Sequence, residues 1–208
     1  ACALLLMLHL WWSDSLNFIQ GQKSRGLQIE SLGALPYMWW NAGPGTVTTN
    51  FQYGAIEVIA QRTALVSAFI SLVFIGFLLF ILNRRISGSL DRVPPSHVML
   101  LIVLMSMLTS RVLSPQYNLW ILGLLAVVSF NPMPGFRLIV AMILTTSFCG
   151  QLLYPWLYVG FQQGAVFATA IHTLRIVCLI IATVQVWKAV FSAKAGQDRA
   201  QPTALATD

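Results

Sequence analysis

Residues 63–82 run for twenty positions with no charge and no proline. This run constrains the fold more than any other feature. A membrane span needs about 20 predominantly apolar residues. Hydrocarbon offers backbone amides no water, so such a segment has to satisfy its own hydrogen bonds as a helix. Four further stretches, 97–112, 115–130, 138–154 and 164–187, follow the same pattern, and residues 1–12 read as the end of another. The run 97–130 is not a single helix. At about 1.5 Å per residue it would be about 50 Å long against a hydrocarbon core of about 30 Å. Pro115 also removes an amide donor in mid-run, so two antiparallel spans joined by a tight turn are expected. Only 9% of the residues are charged and 57% are apolar, whereas soluble domains carry roughly 25% charged residues. The expected fold is all-α, a polytopic transmembrane helical bundle of about five full spans plus a truncated first one.

The formal charge of +6 is no nucleic-acid signature, because the twelve Lys and Arg are dispersed over loops and segment ends. They act instead as topology signals. Arg84, Arg85 and Arg92 fall in one connection, Arg137 in the next on the same side, and Lys188, Lys194 and Arg199 follow the last span. The positive-inside rule makes that side cytoplasmic. The exterior face then receives the long segment 13–62, the turn at 111–116 and a loop over 155–164. A connection as long as 13–62 far exceeds the usual 2 to about 8 residues between bundle helices and is expected to be structured or functional. Trp39, Trp40, Phe51 and Tyr53 suit an interfacial belt, and residues 25–40 are expected to form a helix lying on the membrane. Residues 1–192 thus form the membrane part, and the small polar tail 193–208 is expected to be a disordered cytoplasmic extension. Cys2, Cys149 and Cys178 sit in apolar runs without CxxC spacing and support neither a disulfide framework nor a metal site. The chain enters an apolar run at once without an initiator Met or a basic leader, and reads as the C-terminal part of a longer protein.

Three places combine charge with membrane placement. At Ser110-Arg111-Val112-Leu113-Ser114-Pro115-Gln116-Tyr117-Asn118-Leu119-Trp120, Ser114 is a helix N-cap with Pro115 in the first helical position. The helix start would face outward as an anion site, with Arg111 as a forked cation and Gln116 and Tyr117 as neutral donors. The alternative is an interfacial hairpin whose Arg snorkels to headgroups. In Lys23-Ser24-Arg25-Gly26-Leu27-Gln28-Ile29-Glu30-Ser31, Arg25 could pair a phosphate, while Gln28 and Ser31 could share one face of a short helix. Glu30 could accept a sugar hydroxyl, or the whole stretch could be a surface helix held by its own charge pairs. His172 and Arg175 lie three residues apart in the last span, hence on one face. An intramembrane Arg costs at least ~2.5 kcal/mol at the centre and faces a cavity or a partner, here the exterior cavity of Arg111, or else it snorkels or caps a carbonyl inside the bundle. Walker A, GxGxxG, HExxH and GxSxG patterns are absent from the sequence, so soluble nucleotide, metalloprotease and hydrolase chemistries have no support.

The stretch Arg25-Gly26-Leu27-Gln28-Ile29-Glu30-Ser31, followed about eighty residues later by Leu113-Ser114-Pro115-Gln116-Tyr117-Asn118-Leu119-Trp120, resembles the actinobacterial glycosyltransferase family 87. These are membrane enzymes of the GT-C type, and the mannosyltransferases among them use polyprenyl-phosphate mannose. The resemblance covers roughly residues 13–130. It implies a GT-C-like bundle in the cell membrane that transfers a hexosyl group, expected to be mannosyl, from a polyprenyl-phosphate donor to a cell-envelope glycolipid or lipoglycan on the exterior or periplasmic face. No cofactor or metal is implied. It places Arg111, Ser114, Gln116, Tyr117, Arg25 and Arg175 at the donor phosphate, and Gln28, Glu30, Ser31 and His172 as further substrate contacts. The general base of such enzymes is usually an Asp in the first exterior loop, which is expected upstream of this chain. A transporter or flippase of lipid-linked substrates is the alternative, since broken spans with intramembrane Arg and His also suit substrate passage. The spans show no evident inverted repeat and carry no Asp or Glu, which counts against it. A membrane scaffold is a third possibility.

Overall fold

A computed structural model describes residues 8–9, 26–52 and 54–197, with side chains through Phe191. The molecule is mostly helical, with a small sheet layer at one end. In chain order the sheet layer holds β1 (Leu27–Gln28), a 3-10 turn (Leu32–Ala34), α1 (Leu35–Ala42), β2 (Thr48–Gln52) and β3 (Ala55–Ile59). The bundle follows with α2 (Thr63–Ile86), α3 (Pro95–Leu108), a 3-10 turn (Pro115–Tyr117) and α4 (Asn118–Ser129). It closes with α5 (Phe136–Gln151), a π-helical turn (Leu152–Leu157), α6 (Tyr158–Gln162) and α7 (Val166–Gln197).

Among the described residues, three helices are long and apolar enough to cross a membrane: Thr63–Ile86, Phe136–Gln162 and Val166–Phe191. The two spans expected over 97–112 and 115–130 are shorter than that. With 14 residues in α3 and 12 in α4, they measure about 21 and 18 Å, less than the hydrocarbon thickness of about 30 Å. They do form the expected antiparallel hairpin, closed at its far end where His97 Nε2 meets the Asn131 carbonyl at 2.8 Å. Hydroxyls end α3 early. Thr109 Oγ1 donates back to Met105 O (2.7 Å), and Ser110 Oγ donates to Val112 O (2.5 Å) while accepting from Val112 N–H (3.1 Å). These local bonds compete with the helical ladder. The exterior loop expected over 155–164 is also mostly helix. Pro155 kinks the span through the π-helical turn, with Tyr154 extended (φ −116°, ψ 123°), and helix resumes until Gln162.

α5 and α7 form the most extensive helix pair. Toward the end where Arg84, Arg85, Arg92, Arg137 and Lys188 collect, the core is built from Leu100, Leu104, Ile121, Val128, Ile139, Ile143, Leu179 and Val186. α2 lies against this bundle through Phe77 and Ile81, and Phe80 stacks on Trp187 at 5.5 Å. Most of α2 faces outward, including Leu65, Phe69, Leu72 and Leu79.

The helix expected over 25–40 forms only in its second half, from Leu32 on, and residues 27–28 are a strand instead. Leu27 and Ile29 are buried in the core beneath the sheet, and the alternation Leu-Gln-Ile-Glu has the two-residue period of a strand. β1 pairs antiparallel with β3, and β3 with β2, in the order β1-β3-β2. β2 and β3 form a hairpin in which Gln52 opposes Ala55 and Gly54 takes φ +77°. After the 3-10 turn, α-helix begins at Leu35, where Pro36 occupies the first turn. α1 then straps the layer to the bundle. Trp39 Nε1 donates to Thr173 Oγ1 (2.9 Å) and Asn41 Nδ2 to Gln162 O (3.2 Å), while Gln162 Nε2 reaches Thr49 Oγ1 (3.1 Å).

That strap needs a glycine at the turn between α6 and α7. Gly164 has φ +83°, and a Cβ there would lie 2.4 Å from the Asn41 carbonyl oxygen. Gly164→Ala combines a left-handed penalty of about 1–2 kcal/mol with a clash against fixed backbone. The expected result is a clearly lower melting temperature of the purified protein in nanodiscs. Gly76→Ala, whose Cβ on α2 meets nothing within 4 Å, is expected to leave the melt unchanged or slightly raised.

Candidate functional site

The hairpin of α3 and α4 closes through an unwound stretch whose backbone groups need partners, and β1 supplies them. Gln28 N–H donates to Arg111 O (3.0 Å), and the Gln28 side chain accepts at Oε1 from Leu113 N–H (2.8 Å). On its other side β1 remains paired with β3, and Ile29 N–H donates to Ile56 O (3.0 Å). The residues from Gly26 to Ser31 are thereby laid directly on the turn that precedes α4.

A buried ion pair locks this contact. Glu30 projects from the end of β1, and Arg175 lies nine residues into α7, about 14 Å from its start. Arg175 Nη1 and Glu30 Oε2 are 2.5 Å apart, with the Arg fully buried and the Glu 2% exposed. Gln28 Nε2 donates to Glu30 Oε1 (3.3 Å), and Arg175 Nη2 donates to Leu113 O (3.3 Å). Glu30 also accepts from the Tyr158 hydroxyl, and these further bonds to both ions offset part of a desolvation cost of several kcal/mol per ion. Burial pushes the Glu30 carboxyl above the usual carboxylate range, and the attraction of Arg175 reverses this only in part.

α5 makes room for the guanidinium with a small residue. A Cβ on Gly150 would lie 3.4 Å from Arg175 Nε and 3.5 Å from Asn118 Nδ2. Arg175 Nε and both polar atoms of Asn118 are buried with no hydrogen-bond partner. So are both ring nitrogens of His172, whose imidazole packs 5.0 Å from the Phe161 ring.

Above the pair, on the side of the sheet, opens a cleft of about 300 Å³. Gln28 and Glu30 line it together with Phe51, Ala55 and Ile56 of the hairpin. Ser114, Pro115 and Gln116 form a second wall, and Tyr154 and Tyr158 a third. The two tyrosine rings meet edge to face, 5.2 Å between centroids at 85°. Tyr154 comes from the kink at Pro155 and Tyr158 from the start of α6.

Of the residues singled out from sequence, the fold brings Gln28, Glu30, Ser114 and Gln116 to the cleft and puts Arg175 directly behind Glu30. Others lie outside the cleft lining. Ser31 starts the first 3-10 turn, donating to Gln28 O (2.8 Å) and accepting from Ala34 N–H (3.3 Å). Arg111 directs Nη2 to Ser71 Oγ on α2 (3.3 Å). Tyr117 stacks on Trp120 at 4.7 Å, and His172 is enclosed beside Phe161. Ser114 holds the N-cap position, with its hydroxyl bonding no helix amide. Arg25 lies outside the described residues. Tyr154, Tyr158 and Asn118 were not singled out. The two tyrosines are four apart and bracket Pro155 in an otherwise apolar run, a pattern that marks a kink with a polar face.

No protein-family model matches the chain, and neither the curated proteins nor the solved structures contain a match.

The ion pair is expected to dominate the stability of this region. Arg175→Met leaves a buried carboxylate unpaired and is expected to cost about 3–5 kcal/mol, read as a large loss in unfolding free energy in nanodiscs. The double variant Glu30→Gln, Arg175→Met removes both charges and is expected to recover part of that loss. Equal destabilisation in the single and double variants would show that the pair is not the lock.

Proposed function

We propose that this protein is a membrane glycosyltransferase that moves a hexosyl group, mannosyl in the first instance, from a polyprenyl-phosphate donor to a glycolipid or lipoglycan acceptor of the cell envelope. The observation that carries the proposal is the docking of the 26–31 segment on the 111–116 turn through Gln28 and the Glu30–Arg175 pair. Two motifs separated by about eighty residues, and joined in sequence only by their resemblance to family 87, build one cleft. The cleft lies at the end of the bundle opposite Arg84, Arg85, Arg137 and Lys188, which the positive-inside rule makes the exterior end.

In the proposed reaction an acceptor hydroxyl attacks the anomeric carbon. The bond from that carbon to the donor's phosphate oxygen breaks, its electrons leave with polyprenyl phosphate, and the hydroxyl proton passes to a general base. Leaving-group charge is the term a positioned cation stabilises, and Arg111, at the turn beside α2, is the residue proposed for it. Glu30 is not assigned as the base, because its carboxylate is buried and held in the ion pair with Arg175.

A transporter or flippase of lipid-linked substrates has one specific observation in its favour. α3 and α4 both stop short and leave unwound backbone beside buried polar groups, as the discontinuous helices of transporters do.

The separating experiment presents membranes containing the protein with labelled polyprenyl-phosphate mannose and a lipid acceptor extract. Label is expected in the acceptor lipid, and Arg111→Ala is expected to lower the rate by about tenfold or more. Substrate movement across vesicles without transfer would replace the transferase by the transporter. Undiminished transfer by Arg111→Ala would remove that residue from the phosphate site.

A further inference from the structure

We infer that the cleft beside Glu30 is a subsite for an uncharged hexopyranose ring and that it rejects the phosphate of a lipid-linked donor. The inference deepens the transferase proposal and rests on it only for the origin of the ring.

Charge gives the first argument. Glu30 is the only ionisable acid or base of the Asp, Glu, Lys, Arg or His type among the described residues that line the cleft. Neither Arg175 nor Arg111 stands on its wall. Arg175 is fully buried behind the carboxylate and bonded to it and to Leu113 O, and Arg111 reaches to Ser71 on α2. A phosphate in the cleft would face the carboxylate end of the ion pair, nearer its negative charge than its positive one and with no cation on the wall, an arrangement that costs more as the medium becomes drier. Sugar hydroxyls carry no such penalty.

Hydrogen-bonding capacity gives the second. A hydroxyl both donates and accepts, and the cleft offers both kinds of partner. Glu30 accepts from Arg175 Nη1, from Gln28 Nε2 at a long 3.3 Å and from the Tyr158 hydroxyl, three bonds against about four lone-pair sites on a carboxylate. It therefore keeps capacity to accept from a hydroxyl. Ser114 Oγ makes no capping bond, the Gln116 amide is exposed, and the Tyr158 hydroxyl lies beside Glu30 and Gln28.

Shape gives the third. Tyr154 is 53% exposed and edge-on to Tyr158, which leaves an aromatic wall for the C–H face of a pyranose. Phe51 stands on the sheet side, 70% exposed. Aromatic walls with a few placed polar groups, in a volume near 300 Å³, match the lower size range of small-molecule sites.

The test uses the purified chain in phosphatidylcholine nanodiscs, free of sugar detergents, and saturation-transfer NMR with methyl α-mannopyranoside. Saturation is expected to reach the ring protons, and equimolar methyl phosphate is expected to leave the signal unchanged. Tyr154→Ala and Gln116→Ala, both at exposed positions on different walls, are expected to weaken binding by about threefold or more each, with melting temperatures near that of the parent. Displacement by polyprenyl-phosphate mannose would assign the ring to the donor, and displacement by the acceptor lipid alone to the acceptor. Three results would overturn the inference: no saturation transfer to the folded protein, loss of signal on adding methyl phosphate, or parental binding by both variants. Hexoside binding without any transferase activity would reject the proposed reaction and leave the subsite standing. Transfer without hexoside binding would do the reverse.

Discussion

An arginine placed inside an apolar bundle has to be answered by another group, and Glu30 answers Arg175. Much of the sheet end follows from that constraint. The carboxylate comes from a segment outside the helices, so β1 has to descend onto the bundle to deliver it. The guanidinium also binds Leu113 O, so the turn before α4 has to approach from the other side. One cation thereby fixes the relative positions of α7, β1 and the unwound stretch between α3 and α4. Hydrophobic packing alone would not do this, because apolar contact is non-directional, whereas a forked donor holds two acceptors at defined angles.

The short helices of the hairpin belong to the same logic. A helix that stops about 10 Å short of the far membrane surface leaves amides and carbonyls without intrahelical partners. In hydrocarbon each such group costs several kcal/mol. Here the debt is met by protein. Thr109 and Ser110 bond the backbone of their own turn, Gln28 takes Leu113 N–H and Arg111 O, and Arg175 takes Leu113 O. Irregular backbone at that depth is tolerated because the sheet layer covers it.

Much of this was legible in the sequence, and the losses have specific causes. Apolar run length located the helices, and the proline at 115 with the hydroxyls before it split the central run correctly. Span length failed there because hydropathy counts 109–114 as part of an apolar stretch, while hydrogen bonding by Thr109 and Ser110 decides where helix ends. The strand at 27–28 is masked in the sequence by its charged neighbours: Arg25 and Glu30 around a glycine suit a surface helix, although Leu27 and Ile29 alternate with Gln28 and Glu30. The β-branched run around Tyr53-Gly54 carried a hairpin signal of the same kind. At the site, the pairing of two distant motifs was legible and the role of each cation was not. Arg111 and Arg175 have the same side chain, and only tertiary contacts send one to α2 and bury the other against Glu30.

The sheet layer is too small to hold its shape alone. Its strands are two to five residues long, and two or three short strands without a packed face are marginal in water. Its own core, formed by Leu27, Ile29, Met38 and Val58, is completed by Ile70, Leu153, Phe161 and Ala168 from the helices. The cleft takes one wall from this layer and two from the bundle, so it exists only while the layer is docked. The core at the arginine-rich end, around Leu104, Ile143 and Val186, owes nothing to the Glu30–Arg175 pair. Loosening the pair therefore removes the site at a smaller free-energy cost than unfolding the bundle. Opening the cleft thus breaks the ion pair, the Gln28 bonds, the side-chain straps and the small shared core, while the helix packing at the arginine-rich end stays intact.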